Sequence, residues 1–518
     1  MKTNKLILIE FHGWKSDHYC YHLILKAFLK KFQYKIIAYA TYPNFFSDKN
    51  FFNLNFFLWF FGNLLNIKTF KTYRSIGVEK IFKPSISKIH IKKSIAYLKN
   101  YYDKLNITNY KISNFKVKNT FLGDILYDSY LKSGNYYTLD PYSKNFKKFF
   151  ENFLSLYFYW EEYFHLNKIE VVVVSHSTYL SAIPARIAAI KNKKTLIVGV
   201  DKVYQLNKNN LSSHKEYLFY RNIFNNLGPA QKNKLLFKSR KFIKKLLIGE
   251  VNPHLHFNKN KNYLKFKFAN KNNKILVNSS KKKILISPHS LSDSPHVRGN
   301  FIFNDFYEWL IFLFESSKNS KYEWYIKLHP NYINYFDNTH AVIKELVLNK
   351  YKHINWIDPK IRNFQLIKEG INVVLTVHGS VGAEFPYYGI PVVNASLNNP
   401  HINYNFNFNP RTLEEYSATL KKLHLLKINK KKILNELLEY HSINNIYLDQ
   451  SWLTKKILNI IYNFGGIKNF YKNATYEFLF SKFYKSEKKI SRILERFINT
   501  ENYCLRLHQG KIVDIPKF

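Results

Sequence analysis

Two short segments in the second half of the chain combine residue types that bind phosphate. In Lys327–Pro330 (KLHP), a proline ends an apolar run and leaves His329 close to a lysine. In His378–Ser380 (HGS), a serine follows glycine, and Glu384 comes one helical turn later. A Gly-Ser step at a helix start offers backbone N–H groups and a hydroxyl to an anion, and the glutamate suits a ribose diol. These residues predict a site for a phosphate-bearing nucleoside.

Each motif also has a structural interpretation. A His-Pro pair often forms the turn after a strand, and a Gly-Ser pair often caps a helix. The position of the motifs favours function, because they follow the strand-like runs Trp324–Leu328 and Val373–Val377. Ligands of doubly wound sheets bind beyond the carboxyl ends of the strands, so the two motifs are expected to meet.

A second set of polar residues follows the strand-like runs of the first half. His12 comes after the first run, Ser175 and His176 come after four valines, and Asp124 adjoins Gly123. An acceptor hydroxyl needs a general base or an orienting acceptor, and a carboxylate beside glycine can approach a substrate closely. Asp124 is the predicted base, with a structural aspartate as the alternative; His176 is the second choice, or an acceptor-binding or helix-capping residue. Ser175 lacks the flanking glycines of a serine-hydrolase elbow, which argues against acyl transfer.

The segment His289–His296 (HSLSDSPH) holds two histidines and Asp293 within eight residues. Two His and one Asp on a loop are a weak pattern for a metal site. We expect His289, Asp293 and His296 to contact donor phosphate or a sugar carboxylate. An ordinary hydrogen-bonded loop is the alternative.

The elements that must position these residues alternate between strands and helices. The predicted strands are Lys5–Phe11, Tyr34–Ala40, Ile169–Ser175, Thr195–Val200, Lys283–Ser287, Trp324–Leu328, Ile354–Ile357, Val373–Val377 and Pro391–Asn394. This order predicts an α/β fold with two Rossmann-like, doubly wound domains facing a cleft. The predicted domains are an acceptor domain at 1–265, a nucleotide-sugar-binding domain at 266–410 and a helical tail at 411–518.

Composition limits the classes of function. The chain has 518 residues and a net charge of +45, from 80 Lys+Arg against 35 Asp+Glu. Such a charge attracts polyanions, but no zinc-finger spacing or RNP-like motif accompanies it, so nucleic acid is not the expected partner. Two cysteines exclude a disulfide framework and fit a reducing, cytoplasmic compartment. The basic stretch 231–283 is interpreted as a helix to about 248 and a connector, or alternatively as a surface facing acidic lipid.

The segment Phe51–Ile67 (FFNLNFFLWFFGNLLNI) is the most apolar part of the chain. It carries no charge, but four asparagines interrupt it, and it is too short for a conventional membrane span. The first interpretation is a buried helix. The alternative is an interfacial helix that binds a membrane surface.

The polar motifs also carry a family resemblance. Lys327–Asn331 (KLHPN) followed by Thr376–Ala395 (TVHGSVGAEFPYYGIPVVNA) resembles capsular-polysaccharide and Kdo/sialyltransferase-like glycosyltransferases of GT-B architecture. Further matching segments are Gly123–Leu131, Ser175–Arg186 and Ser287–Trp309. The resemblance extends from about residue 75 to residue 400 and is much weaker for the donor or the linkage.

This resemblance implies roles for the motif residues. It implies that His329 contacts the departing nucleotide phosphate and protonates or neutralises it, while Asp124 remains the base predicted above. The residues expected at the donor are Lys327, Pro330, Asp358, His378, Gly379, Ser380 and Glu384. The expected reaction moves a sugar from a nucleotide donor onto a surface polysaccharide or its lipid-linked precursor. The expected donor is a CMP-activated acidic sugar such as Kdo. We expect no metal ion and no cofactor besides the donor, and association with the inner face of an anionic membrane.

Two other functions fit the same motifs. A CDP-glycerol-type glycerophosphotransferase would present a similar nucleotide site. A non-catalytic polysaccharide-assembly protein would keep the fold and lose the chemistry. Nucleotide binding and product analysis separate the three.

Overall fold

The computed structural model describes residues 5–12, 15–29, 34–41, 54–66, 69–104, 106–247, 274–299, 301–329, 338–449, 451–453 and 488–517. The chain divides into two compact units. Unit 1 comprises Met1–Ser133, Leu139–Ser213 and Asp449–Phe518, and unit 2 comprises Gly134–Thr138 and His214–Leu448. Pro330 lies outside the described residues.

The strands are short, and their apolar residues are mostly buried. They are β1 Lys5–Glu10, β2 Tyr34–Tyr39, β3 Val78–Phe82, β4 Lys116–Val117, β5 Thr120–Phe121, β6 Ile169–Val174, β7 Lys194–Val198, β8 Val203–Leu206, β9 Lys283–Ile286, β10 Glu323–Lys327, β11 Ile354–Ile357, β12 Val373–Thr376, β13 Val392–Asn394, β14 Cys504–His508 and β15 Lys511–Val513. The nine strands predicted from the sequence are confirmed to within two residues at each end.

The helices connect these strands. They are α1 Lys15–Leu29, α2 Leu54–Leu64, α3 Thr69–Ser75, α4 Lys88–Lys104, α5 Asn109–Ser113, α6 Gly123–Gly134, α7 Lys144–Leu166, α8 Ile183–Ile190, α9 Tyr220–Asn225, α10 Pro229–Leu247, α11 Phe306–Ser317, α12 Thr339–Glu345, α13 Asn363–Lys368, α14 Val381–Glu384, α15 Leu413–Lys421 and α16 Lys430–His441. Short 3-10 helices lie at Leu180–Ala182, Glu216–Phe219, Phe385–Tyr388 and Leu423–Leu425, and π-helical turns at Leu346–Lys350 and Ser442–Tyr447. None of the helices described is long and apolar enough to cross a membrane.

Unit 1 is built on a sheet whose described strands run β15-β14-β8-β7-β6-β1-β2-β3. Strand β1 pairs in parallel with β2 on one side and β6 on the other, so the order of winding reverses between β1 and β6. Strands β8, β14 and β15 are antiparallel additions at one edge. The crevice of this sheet is therefore expected at the carboxyl ends of β1 and β6.

Unit 2 is built on a parallel sheet with the described order β11-β10-β9-β12-β13. Alternate residues of its strands point into two separate cores: Ile284 and Ile286 into one, Leu285 into the other. Burial on both faces explains the continuous apolar runs seen in the sequence. The winding reverses between β9 and β12, which places the crevice at their carboxyl ends.

The structure corrects the predicted domain boundaries. The chain enters unit 2 at His214, well before 265, which itself lies outside the described residues. The reason is packing: Tyr220 and Ser239 bond to Asn444 and Ser442, so α9 and α10 belong with the helices that follow the second sheet.

The predicted helical tail is also wrong in part. Helices α15 and α16 belong to unit 2, whereas the chain from Asp449 returns to unit 1. There β14 pairs with β8 through Cys504 and Tyr204. Strand formation at this point depends on a partner about 300 residues earlier, which no local sequence pattern reveals.

Candidate functional site

Two histidines meet at the crevice of the second sheet. His289 follows β9 and His378 follows β12, and their ring centroids lie 4.3 Å apart. The backbone N–H of His378 donates to Nε2 of His289 at 3.3 Å, and Phe306 stacks on the His289 ring at 4.9 Å. Because Nε2 accepts this bond, the proton of His289 sits on Nδ1. The two predicted segments are thus joined by a direct hydrogen bond.

Both imidazoles are neutral at physiological pH. Burial, followed by the nearby charges of His329 and Arg298, lowers the pKa of His289 to about 3. Burial also holds the pKa of His378 well below its usual range, with His289, Arg298 and His401 adding to the effect. A neutral imidazole donates one hydrogen bond and accepts another, so this pair offers directional contacts without net charge.

Lys327 is a buried cation at this edge. It ends β10, next to β9, and its side chain is 7% exposed. Burial lowers its pKa to about 8, while the carboxylates of Glu384 and Asp358 favour its charged form. Lys327 therefore remains largely protonated at neutral pH. A buried ammonium group of this kind is suited to an anionic ligand.

Ser380, Glu384 and Asn363 form a hydrogen-bonded group at the same edge. The hydroxyl of Ser380 donates to Oε1 of Glu384 at 3.0 Å, and Nδ2 of Asn363 donates to Oε2 at 3.0 Å. The sequence predicts that Ser380 caps α14, but its side chain makes no capping hydrogen bond. The α-helical part, α14, is only four residues long and continues as a 3-10 helix, so the expected helix terminus contributes little.

The close contact between Gly379 and Thr376 requires a glycine at position 379. Its N–H donates to Oγ1 of Thr376 at 3.3 Å, and a Cβ added at this position would lie 2.8 Å from the same oxygen. Thr376 in turn donates to the carbonyl of Ser287. This chain of contacts fixes the turn after β12 against the turn after β9.

His329 is exposed at this edge, two residues beyond Lys327. Its charge affects His289, which places the two imidazoles in the same neighbourhood. Asp358 is exposed after β11 and its Oδ1 accepts from the backbone of Lys360, the arrangement of an ordinary turn. Of the other loop residues, Asp293 is exposed and His296 is buried.

A different group of residues lies at the crevice of the first sheet. Oε2 of Glu10, at the end of β1, accepts hydrogen bonds from the backbone and the hydroxyl of Ser175, at 2.7 and 2.8 Å. Burial and the charge of His176 lower the pKa of the neighbouring His12 to about 3. His12 contacts the hydroxyl of Tyr21 at 3.3 Å, and His176 is exposed. The predicted residues His12, Ser175 and His176 therefore share one edge.

Asp124 is not placed as a general base. It is buried in α6, and its two oxygens accept from Nη1 and Nη2 of Arg186 at 3.0 and 2.8 Å. Oδ1 also accepts from the backbone of Ile125. Both carboxylate oxygens are thus engaged inside unit 1. The geometry matches the structural aspartate that was the alternative.

The sequence analysis missed three residues of these edges. Glu10 had a signal, since it is the acidic end of an otherwise apolar strand. Arg298 donates to the carbonyl of His214 at 3.0 Å and affects both crevice histidines of unit 2. Nothing in the sequence indicates that Asn363 belongs to this edge, because an asparagine at a helix start is common. Among the residues described, no group of three His, Cys, Asp or Glu side chains is arranged to hold a metal ion.

Comparisons with known proteins are distant. No family model and no curated protein matches the chain. Solved structures that match include UDP-GlcNAc 2-epimerase from Neisseria meningitidis bound to UDP-GlcNAc, at 10% identity and a TM-score of 0.23, covering 85% of this chain and 98% of that one. The epimerase from Methanocaldococcus jannaschii in complex with UDP-GlcNAc and UDP has 12% identity, a TM-score of 0.26 and coverages of 84% and 93%. A glycosyltransferase from Rickettsia africae has 11% identity, a TM-score of 0.24 and coverages of 92% and 100%.

Because these TM-scores are below 0.5, the matches support no conclusion about this protein. The fold conclusion rests on the strand orders of the two sheets. These confirm the predicted α/β fold with two Rossmann-like sheets.

Proposed function

We propose that this protein is a glycosyltransferase of GT-B type that uses a nucleotide-sugar donor, bound by unit 2. One observation carries the proposal: a buried lysine and three histidines gather at the crevice edge of a five-strand parallel sheet within the described residues. Nucleotides bind at such edges, and the phosphate needs a cation there.

The chemistry of sugar transfer fits these groups. Breaking the bond between the sugar and the phosphate builds negative charge on the leaving group. Lys327, protonated at neutral pH, stabilises that charge. His329, which is exposed, donates a hydrogen bond or a proton to the phosphate oxygen. The neutral pair His289 and His378 supplies oriented hydrogen bonds, and Glu384 remains the proposed contact for the ribose.

The acceptor side is assigned to unit 1. With Asp124 engaged by Arg186, His176 becomes the proposed base for the acceptor hydroxyl, since it is exposed at the edge where β1 and β6 end. Its neighbour His12 is neutral and orients rather than removes a proton.

The proposed donor is a CMP-activated acidic sugar such as Kdo, and the proposed acceptor is a surface polysaccharide or its lipid-linked precursor. The support is the family resemblance of the two motifs, together with a net charge of +45 that favours an acidic donor near an anionic surface.

Calorimetry on the full chain with CMP, CDP, UMP, UDP and GMP tests the nucleotide site. We expect binding below millimolar concentration with a preference for cytidine nucleotides. No binding of any nucleotide at millimolar concentration would favour a non-catalytic assembly protein.

Product analysis then separates the two enzyme classes. Sugar transfer leaves no new phosphorus in the polymer, whereas glycerophosphate transfer from CDP-glycerol adds one phosphorus per step. Mass spectrometry of the extended acceptor reads this difference directly.

A further inference from the structure

Helix α2 presents a row of large apolar residues to solvent and Asn63 to the protein. Five large apolar side chains of α2 and its last turn are between 49% and 67% exposed: Leu58, Phe60, Phe61, Leu64 and Leu65. On a helical projection they occupy one side. An ordinary surface helix has the opposite pattern, with its apolar side against the core.

The other side of α2 fixes the helix to unit 1. Trp59 packs edge-on against Phe70 with centroids 5.7 Å apart, and a Cβ at Gly62 would lie 2.8 Å from the Phe70 ring. Asn63 donates to the carbonyl of Ile81 and accepts from Arg74. The orientation of α2 is therefore set by contacts on its inner side, and the apolar side is left outward.

Cations of unit 1 also lie beside α2. The ammonium group of Lys83 lies 5.1 Å from the Trp59 ring, and the guanidinium of Arg74 contacts Asn63. Lys71, one turn before Arg74 on α3, is exposed. The carboxylate of Glu79 is paired with Lys35 at 3.9 Å. An apolar helix face with cations on the neighbouring elements complements the acyl region and the headgroups of an anionic lipid layer.

We propose that α2 is a membrane-docking helix: Leu58, Phe60, Phe61, Leu64 and Leu65 insert at the surface of an anionic bilayer, and Lys71 and Lys83 contact its headgroups. The helix lies in the plane of the surface, because the uncharged segment is too short to span a bilayer. This inference goes beyond the proposed donor chemistry and does not depend on it.

Vesicle sedimentation of the full chain tests the proposal. The variant is L58Q/L64Q/L65Q on the apolar face, and the matched control is L166Q/L348Q/L425Q, three leucines that are 72%, 55% and 61% exposed elsewhere. Neither variant changes the charge, so electrostatic attraction is equal in both. With vesicles of phosphatidylcholine and phosphatidylglycerol, we expect the first variant to partition at least tenfold less than wild type and the control to stay within twofold.

Three results would overturn the proposal. The wild type could fail to sediment with anionic vesicles, or the α2 variant could bind as well as wild type. Sedimentation velocity could show a dimer that the α2 variant breaks, in which case a second copy covers the face. Nucleotide calorimetry on the same variants keeps this test separate from the donor site, since neither set of leucines lies near Lys327 in the sequence or on its sheet edge.

Discussion

The crevice edges of the two sheets share a winding reversal and differ in how their charges are used. In unit 1 the carboxylates are engaged inside the protein: Glu10 holds the turn at Ser175, and Asp124 pairs with Arg186. In unit 2 Lys327 is buried, and Glu384, which also accepts from Ser380, and Asp358 favour its charged form. The first edge thus uses charge to hold its own loops, and the second buries a cation for which we propose a role in ligand binding.

The buried charges of the two edges also differ in their effect on folding stability. A buried pair such as Asp124 and Arg186 supports the fold as long as both partners are present. A buried lysine whose pKa falls to about 8 opposes folding at neutral pH. A residue that opposes folding is a candidate for function, so we propose that Lys327 serves the ligand and Asp124 the fold.

The largest expected effect is a loss of folding stability in unit 1. Asp124→Ala removes one partner of a buried ion pair and leaves Arg186 uncompensated, so the free energy of unfolding should fall by about 3–5 kcal/mol. Urea unfolding, with the variant Arg186→Met and the double variant completing a cycle, measures the coupling. If Asp124→Ala kept full stability and lost only turnover, Asp124 would be returned to the catalytic role.

The next effect concerns turnover. His329→Ala should lower the rate of sugar transfer by about 10²–10³-fold, because it removes a donor to the charge that develops on the phosphate. His165→Ala, at an exposed histidine of unit 1, is the control and should leave the rate unchanged. Near-normal turnover in His329→Ala, with unchanged melting, would remove His329 from the chemistry.

Lys327→Met should act in opposite directions on binding and stability. Nucleotide affinity should fall about 10–100-fold through loss of a charged contact, while the protein becomes more stable by roughly 3 kcal/mol at neutral pH. In the folded state the pKa is lowered from 10.5 to about 8, so the penalty is full below pH 8 and disappears as pH rises toward 10.5.

Two measurements check these signs. Wild-type nucleotide affinity should weaken as pH rises through about 8, and the stability gap between Lys327→Met and wild type should close above that pH. Lys352→Met, at an exposed position of the same unit, should change neither. A destabilised Lys327→Met with normal affinity would mean that the lysine is structural.

The smallest expected effect is at Ser380. Ser380→Ala removes one neutral hydroxyl and should weaken nucleotide binding roughly three- to tenfold with little effect on turnover at saturation. The exposed Ser316→Ala serves as the reference. Calorimetry that gave the same affinity for Ser380→Ala and wild type would count against a phosphate contact.

Much of the second sheet could be predicted because its strands are buried on both faces. Ile354–Ile357 was predicted with the same bounds, and Val373–Thr376 differs by one residue. The motifs after β10 and β12 could be predicted to share an edge, since strand ends locate them once the winding is known. The hydrogen bond between His289 and His378 could not, because it depends on the relative depth of two loops.

Asp124 shows why other parts of the site could not be predicted. The sequence shows an aspartate after glycine but not that Arg186, 62 residues later, donates to both its oxygens. The sequence also could not decide whether α2 is a buried helix or an interfacial helix, because neighbours distant in sequence determine its orientation. The contacts of Trp59 with Phe70 and of Asn63 with Ile81 show which side of the helix faces inward.

The return of the chain to the first sheet has a consequence for biosynthesis. Strand β8 gains its outer neighbour only when residues 504–508 arrive, and the Gln205 amide donates to the carbonyls of Phe497, Thr500 and Asn502. A ribosome making this protein therefore finishes all of unit 2 while the β8 edge of unit 1 is still uncovered. Nascent chains would have an open strand edge for that interval, and such an edge is a template for pairing with another chain.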